Sequence, residues 1–337
     1  LFLHNSFRLS NKAKKFLIYT LIFILLLFVG LRHEVGGDWE AYLYRFTHLD
    51  TQSFIENLLS WDPGYVLVEY IAKYLGIGIY GVNTLCAIIF FIGFQYFIKA
   101  FKINPFYAYL IAFPYLIMVV VNGYTRQGVA IGLVMGMYGA FYEKRYFRSL
   151  LFFITAVLFH KTAIISGLIF LSRLKIKYYL IFFGIAFLFY YKIHEKDFAK
   201  LWTYYFLEQM QSRGGLIRIL TNLYAGILFF IFYKKWKKLY DDYQIWLFFS
   251  LFTIMVLFFT LTFNVTTVGD RILLYFYPLQ IVVFSRVIAI IKDRILKHAY
   301  FIGLILLYWG IILVWLNFAD HREYWIPYNN LLLKLVE

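Results

Sequence analysis

Nine apolar runs dominate this chain: residues 16–31, 80–98, 105–121, 126–142, 178–192, 217–233, 245–263, 272–290 and 300–318, none with more than one charged residue. A hydrocarbon core about 30 Å thick is crossed by about 20 helical residues at 1.5 Å each, so runs of this length imply bilayer-spanning helices. Spanning strands would instead show segments of about ten residues alternating in polarity, and neither 16–31 nor 245–263 alternates. Composition agrees. Charged residues make up 15% of the chain against roughly 25% in soluble domains, while 63% is hydrophobic and 23% aromatic. The expected fold is an all-α polytopic integral membrane protein of about 10–11 transmembrane or re-entrant helices. With no Pro/Gly/Ser linker, low-complexity tract or internal repeat, residues 1–337 are expected to form a single transmembrane domain.

The formal net charge of +15 could suggest nucleic acid, but the basic residues stand in short clusters between apolar runs, where they set orientation instead. No nucleic-acid partner is expected. Lys12, Lys14 and Lys15 precede the first run and no small-residue cleavage site follows it, so the run is read as a retained first span. An inside N-terminus then puts Lys99, Lys102, Lys144, Arg145 and Arg148 inside as well. If 146–172 crossed once, Arg173, Lys175, Lys177 and the cluster Lys234–Lys238 would fall outside, against the positive-inside rule. The segment is therefore expected to be a re-entrant or short hairpin with His160-Lys161 at its outer apex. An extracytoplasmic loop over 32–79 with an amphipathic surface helix at 62–75, an outer loop at 194–215 and an outer tail at 319–337 complete the topology. Cys86, the one cysteine, reads as a packing or lipid-facing residue.

This topology collects the unusual polar residues on one face, and ionisable groups gathered at a membrane boundary point to a functional site. In Arg32-His-Glu-Val-Gly-Gly-Asp-Trp-Glu40 the glycine pair permits close backbone approach, and Asp38 is either a general base or the cap of a helix starting at Trp39. Trp39, Tyr42 and Tyr44 suit a sugar platform or an interfacial belt. In Trp61-Asp-Pro-Gly-Tyr65, Asp62 is best placed as a helix cap with Pro63 in the first turn, and Glu69 on that helix would face the outer vestibule. Asn122-Gly-Tyr-Thr-Arg-Gln127 opens a span, so Arg126 sits beside free helix N–H groups and, with Asn122, Tyr124 and Gln127, offers a cradle for phosphate or carboxylate. His160, followed by Lys161, is either a general base or a hydrogen-bonded structural histidine. Arg271 follows Val268-Gly-Asp270 as a second cation at an expected helix entrance, with Asp270 as its possible local partner. No phosphate-binding loop, dinucleotide fingerprint or zinc spacing occurs. No cofactor is expected, and a divalent metal on Glu34 and Asp38 is only weakly indicated.

Taken together, Gly37-Asp38 with Tyr42 and Phe46, Asp62-Pro-Gly-Tyr65, Arg126-Gln127 with Ala130, Phe159-His160, and Arg271 with Tyr275-Phe276 resemble the EpsG branch of Wzy-type bacterial polysaccharide (O-antigen/exopolysaccharide) polymerases. The resemblance implies a GT-C-like membrane glycosyltransferase. Such an enzyme joins oligosaccharide repeat units carried on undecaprenyl diphosphate at the outer face of a bacterial inner (plasma) membrane, with membrane lipid and a chain-length regulator as partners. It also implies roles: Arg126 and Arg271, with Arg32 or Arg213, as a diphosphate clamp, and Asp38 or His160 as the base. A GT-C-type transferase of single lipid-phosphate-linked sugars would place an acid in the same loop. A flippase or exporter would instead line a path across the membrane with charge.

Overall fold

A computed structural model describes residues 10–171, 214–319 and 321–334, and its regular elements are all helical. The chain divides into two compact units, residues 1–164 with 301–337 and residues 165–300.

In the first unit α1 (Asn11–Gly30) leads into the polar loop, which carries α2 (Trp39–Thr47), α3 (Phe54–Ser60) and α4 (Pro63–Tyr74). The chain then enters α5 (Gly78–Ala100), α6 (Pro105–Ala112), α7 (Thr125–Tyr142) and α8 (Tyr146–Phe159). Helix α7 is the centre of this unit, buried from Gln127 through Phe141 against α5 and α8. The approach to α5 is so close that a Cβ at Gly132 would sit 2.6 Å from the Phe90 Cα, the small-residue packing common between membrane helices. Helix α6 does not end at Ala112 but continues as a π-helix over Phe113–Val121. Pro114 lacks an N–H and crowds the carbonyl four residues back, so the ladder widens there instead of breaking.

The second unit holds α9 (Gly215–Ile231), α10 (Tyr233–Leu239), α11 (Tyr243–Phe263), α12 (Thr266–Leu274) and α13 (Pro278–Ile290), with α9 packed on α11, α12 and α13. Helix α14 (Arg294–Phe318) follows, and from Phe301 onward it belongs to the first unit.

Among the described residues, α1, α5, α11 and α14 are long and apolar enough to cross a membrane. The number rises to 6 if α9–α10 and α12–α13, bent by 74° and 61°, each count as one broken span. The expected polytopic helical protein is therefore present, and among the described residues Pro105–Val121 and Tyr146–Phe159 add shorter apolar helices. The expected run 178–192, and nearly all of the expected loop 194–215 with Arg213, lie outside the described residues. The break at His160 falls where the hairpin apex was expected: α8 stops at Phe159, His160 is extended, and a 3₁₀ turn over Lys161–Gly167 follows. The amphipathic helix at 62–75 is α4.

Candidate functional site

The first loop folds around one buried arginine. Arg32, 1% exposed, donates to the Val35 carbonyl at 3.0 Å, to Thr125 Oγ1 at 2.6 Å and to Asn83 Oδ1 at 3.3 Å. Both of its terminal nitrogens are thus engaged in tying the loop to α5 and α7, and only the buried Nε is without a partner. Gly36 has φ +100°, and a Cβ there would lie 2.8 Å from the Gly123 Cα, so only glycine fits the turn. Its N–H donates to the Tyr324 carbonyl at 2.7 Å, and His33 N–H donates to the Asn329 carbonyl at 3.0 Å. The tail is in this way stitched to the loop.

Asp38 opens α2 but its carboxylate caps nothing. The side chain is half-buried and makes no hydrogen bond, while its charge acts on Arg32 and Tyr42. Tyr42 is 2% exposed, and burial pushes its phenol up so that it stays neutral. Trp39, 4% exposed, packs edge-on to His33 and against Tyr80. Neither ring is a sugar platform or belt residue, because loop closure buries both. Tyr44 alone of the three is outward. Glu34 is exposed, 3.3 Å from His33. Among the described residues no three His, Cys, Asp or Glu side chains converge as a metal site would require.

Arg126 enters from the first turn of α7, as expected, and finds an anionic partner inside the protein. Its Nη1 donates to Asp62 Oδ2 at 2.7 Å, its Nε to the Tyr42 hydroxyl at 3.5 Å, and the guanidinium lies 4.3 Å from the Trp61 ring centroid. Asp62 stands at the N-terminus of α4 without capping it, which corrects its expected role: the carboxylate turns to Arg126 instead. Burial raises Asp62, opposed by the charges of Arg126, Lys161 and Arg45. Lys161 is exposed on the same side, and His160 is half-buried and bonded to Thr162 at 2.6 Å.

A second pair completes the cluster. Arg45 donates from Nε to Glu69 Oε2 at 3.0 Å and lies 4.9 Å from the centroid of the same Trp61 ring. Glu69 is fully buried, not facing a vestibule, because α2 covers it with Arg45. Burial pushes its carboxyl up to about 7 against the pull of Arg45. Glu69 Oε1, Arg45 Nη2, Trp61 Nε1, the Tyr65 hydroxyl and Gln127 Nε2 are buried without hydrogen-bond partners. Arg45 and Trp61 were missed as site residues, since nothing in the spacing links position 45 to 69. Of the two guanidiniums, Arg126 keeps more of its side chain open, at 26% against 13%. Tyr124 is half-buried beside Trp325, and Asn122 is 0% exposed with neither amide atom partnered.

The second unit revises the other expected cation. Arg271 lies in the last turn of α12, exposed, and not at a helix entrance, because the chain turns at 275–277 and a new helix starts only at Pro278. Asp270 pairs with Arg218 of the first turn of α9, which donates Nε to Oδ1 at 2.6 Å and Nη2 to Oδ2 in a two-point contact. Arg218 is thus a half-buried cation of this unit, another residue that sequence reading passed over.

A family model described as the EpsG family matches residues 15–330. No curated protein and no solved structure matches the chain.

Proposed function

Because this chain belongs to the EpsG family, which is linked to exopolysaccharide synthesis, we propose that it is a glycosyltransferase polymerising undecaprenyl-diphosphate-linked oligosaccharide repeat units at the extracytoplasmic face of a bacterial plasma membrane. The observation that most supports this reading is a carboxylate without a hydrogen bond, Asp38, and a partly exposed guanidinium, Arg126, whose charges both act on the buried Tyr42 phenol.

Glycosyl transfer from a lipid diphosphate needs these two groups. The acceptor hydroxyl attacks the anomeric carbon of the donor, and its proton passes to Asp38. The bond from that carbon to the diphosphate oxygen breaks, and the leaving diphosphate carries away the electron pair and a developing negative charge. Arg126 meets that charge with donors already oriented by Asp62 and Trp61, so little reorganisation is needed when it forms. The Tyr42 phenol, on which both charges act, is held neutral by burial and so adds no charge of its own.

Purified protein supplied with a lipid-linked repeat unit tests the reading. A ladder of products is the expected result. A single added sugar would indicate a simple transferase, and vesicle transport without any new glycosidic bond would indicate a flippase or exporter.

A further inference from the structure

Within the first unit a cavity of about 580 Å³ lies between the π-helical stretch Phe113–Val121, α14 and the tail, inside the roughly 300–1,000 Å³ range of small-molecule sites. Its walls are hydrocarbon and aromatic, with Phe113, Pro114 and Met118 on one side and Ile305, Trp309 and Ile312 on α14. Bound water needs two to four polar partners, so such walls favour an apolar chain. Trp309, on the α14 wall, is 61% exposed.

One end is different. Pro114, Met118 and Asn122 recur every four residues along the widened helix, and this stripe finishes in an amide. Asn122 is 0% exposed with Nδ2 and Oδ1 both unpartnered, and Trp325, which also lines the cavity, is 4% exposed with an unpartnered indole N–H. Buried amides are rarely left so, because the desolvation they suffer is not returned. The occupant these features suit is an apolar chain ending in a polar, hydrogen-bonding head. Trp325 packs on Gly123, and a break in the helix at Tyr124 separates Asn122 from Arg126.

We propose that this cavity seats the isoprenoid segment of the lipid-linked donor nearest its diphosphate, with Asn122 and the Trp325 N–H binding the polar head on its way to Arg126. The assignment rests on the polymerase reading and adds to it the place of the lipid. A bulk phospholipid chain would satisfy the walls, but the polar end formed by Asn122, four residues before Arg126 in the chain, favours the lipid-linked donor.

The test uses the full-length protein in nanodiscs and a polyprenyl diphosphate carrying a diazirine in its first isoprene units. Cross-linked peptides should map to the 114–122 and 305–316 segments, and unlabelled undecaprenyl diphosphate should compete at concentrations where phosphatidylglycerol does not. Filling the cavity from either wall, by Met118→Trp or Ile305→Trp, should abolish labelling, while Leu306→Trp on the exposed face should not. Asn122→Leu should weaken binding roughly tenfold, as loss of a hydrogen bond to a charged group implies. Two walls are varied so that misfolding of one variant leaves the other informative. Labelling spread evenly over the exposed helices, equal competition by phosphatidylglycerol, or retention of labelling in both filled variants would overturn the proposal. Because labelling needs no turnover, cavity labelling without a product ladder supports the lipid seat while sinking the polymerase reading. A ladder without cavity labelling does the reverse.

Discussion

At the scale of single residues, the uncommon polar side chains carry the chemistry, and replacing them separates roles. Asp38→Asn keeps shape and removes the base, so the polymerisation rate should fall about 10²- to 10⁴-fold at matched membrane abundance. His160→Ala, which deletes a group already bonded to Thr162, should have the smaller effect. The reverse order would move the base to His160. Arg126→Lys should lower the rate about 10²- to 10³-fold, since a point charge cannot hold Asp62, Trp61 and an incoming oxygen at once. At the exposed Arg271 the same change should be tolerated within a few-fold. Near-parental activity of Arg126→Lys would remove it from the reaction. Glu69 adds a pH signature. It keeps its proton up to about 7 in the folded chain against an ordinary value of 4.5, so its contribution to stability is full below about pH 4.5 and declines as pH rises through 7. The melting temperature of purified protein should fall across that interval, and Glu69→Gln, neutral throughout, should flatten the fall. Asp38 and Arg126 stood out in the sequence because charge beside apolar runs is rare. The Arg45–Glu69 pair did not, since its members are 24 positions apart and meet only when α2 closes over α4.

At the scale of elements, the apolar runs located the helices but not their lengths. The runs 80–98 and 300–318 sit inside the longer helices Gly78–Ala100 and Arg294–Phe318, and the helix Asn11–Gly30 starts five residues before the run 16–31. Apolarity measures how much of a helix meets hydrocarbon, and backbone hydrogen bonding continues past that boundary. The run 272–290 misled in the other direction. It is apolar enough to read as one span, yet the chain turns at 275–277 before Pro278 and bends by 61°, a feature that hydropathy does not register. The bent second unit also holds a buried ion pair: Arg286 of α13 meets Asp242 at 2.7 Å with both side chains buried, and the guanidinium lies 4.1 Å from the Tyr240 ring centroid. Arg286→Met alone should destabilise this unit by about 3–5 kcal/mol by stranding a buried carboxylate. Adding Asp242→Leu should restore most of the loss, as read by thermal unfolding in detergent. If the double variant melts no higher than the single one, the pair does more than satisfy itself.

At the scale of the whole molecule, the open question is which side of the membrane each segment occupies. The positive-inside argument makes a definite forecast: cysteines engineered just after Arg173 and near Lys235 should label from the cytoplasm, and one beside Lys161 from outside. The lone native cysteine, Cys86, is 1% exposed and gives a quiet background for that measurement. Outside labelling near Lys235 would overturn the parity assigned to 146–172. The stitching of loop to tail has a further consequence, one of timing. Tyr328 bonds the Phe28 carbonyl, a partner 300 positions earlier, and the Leu331 N–H reaches back to Leu31. At roughly 5–20 residues per second the ribosome needs about 15–60 s to travel that distance. Throughout that interval Gly36 and His33 wait without the carbonyls that will fix them, so the loop bearing Asp38 reaches its final form only after the tail has been made. Substitutions in residues 322–331 should therefore slow maturation of newly made protein, a delay visible in pulse-chase proteolysis, even where they touch no reacting group.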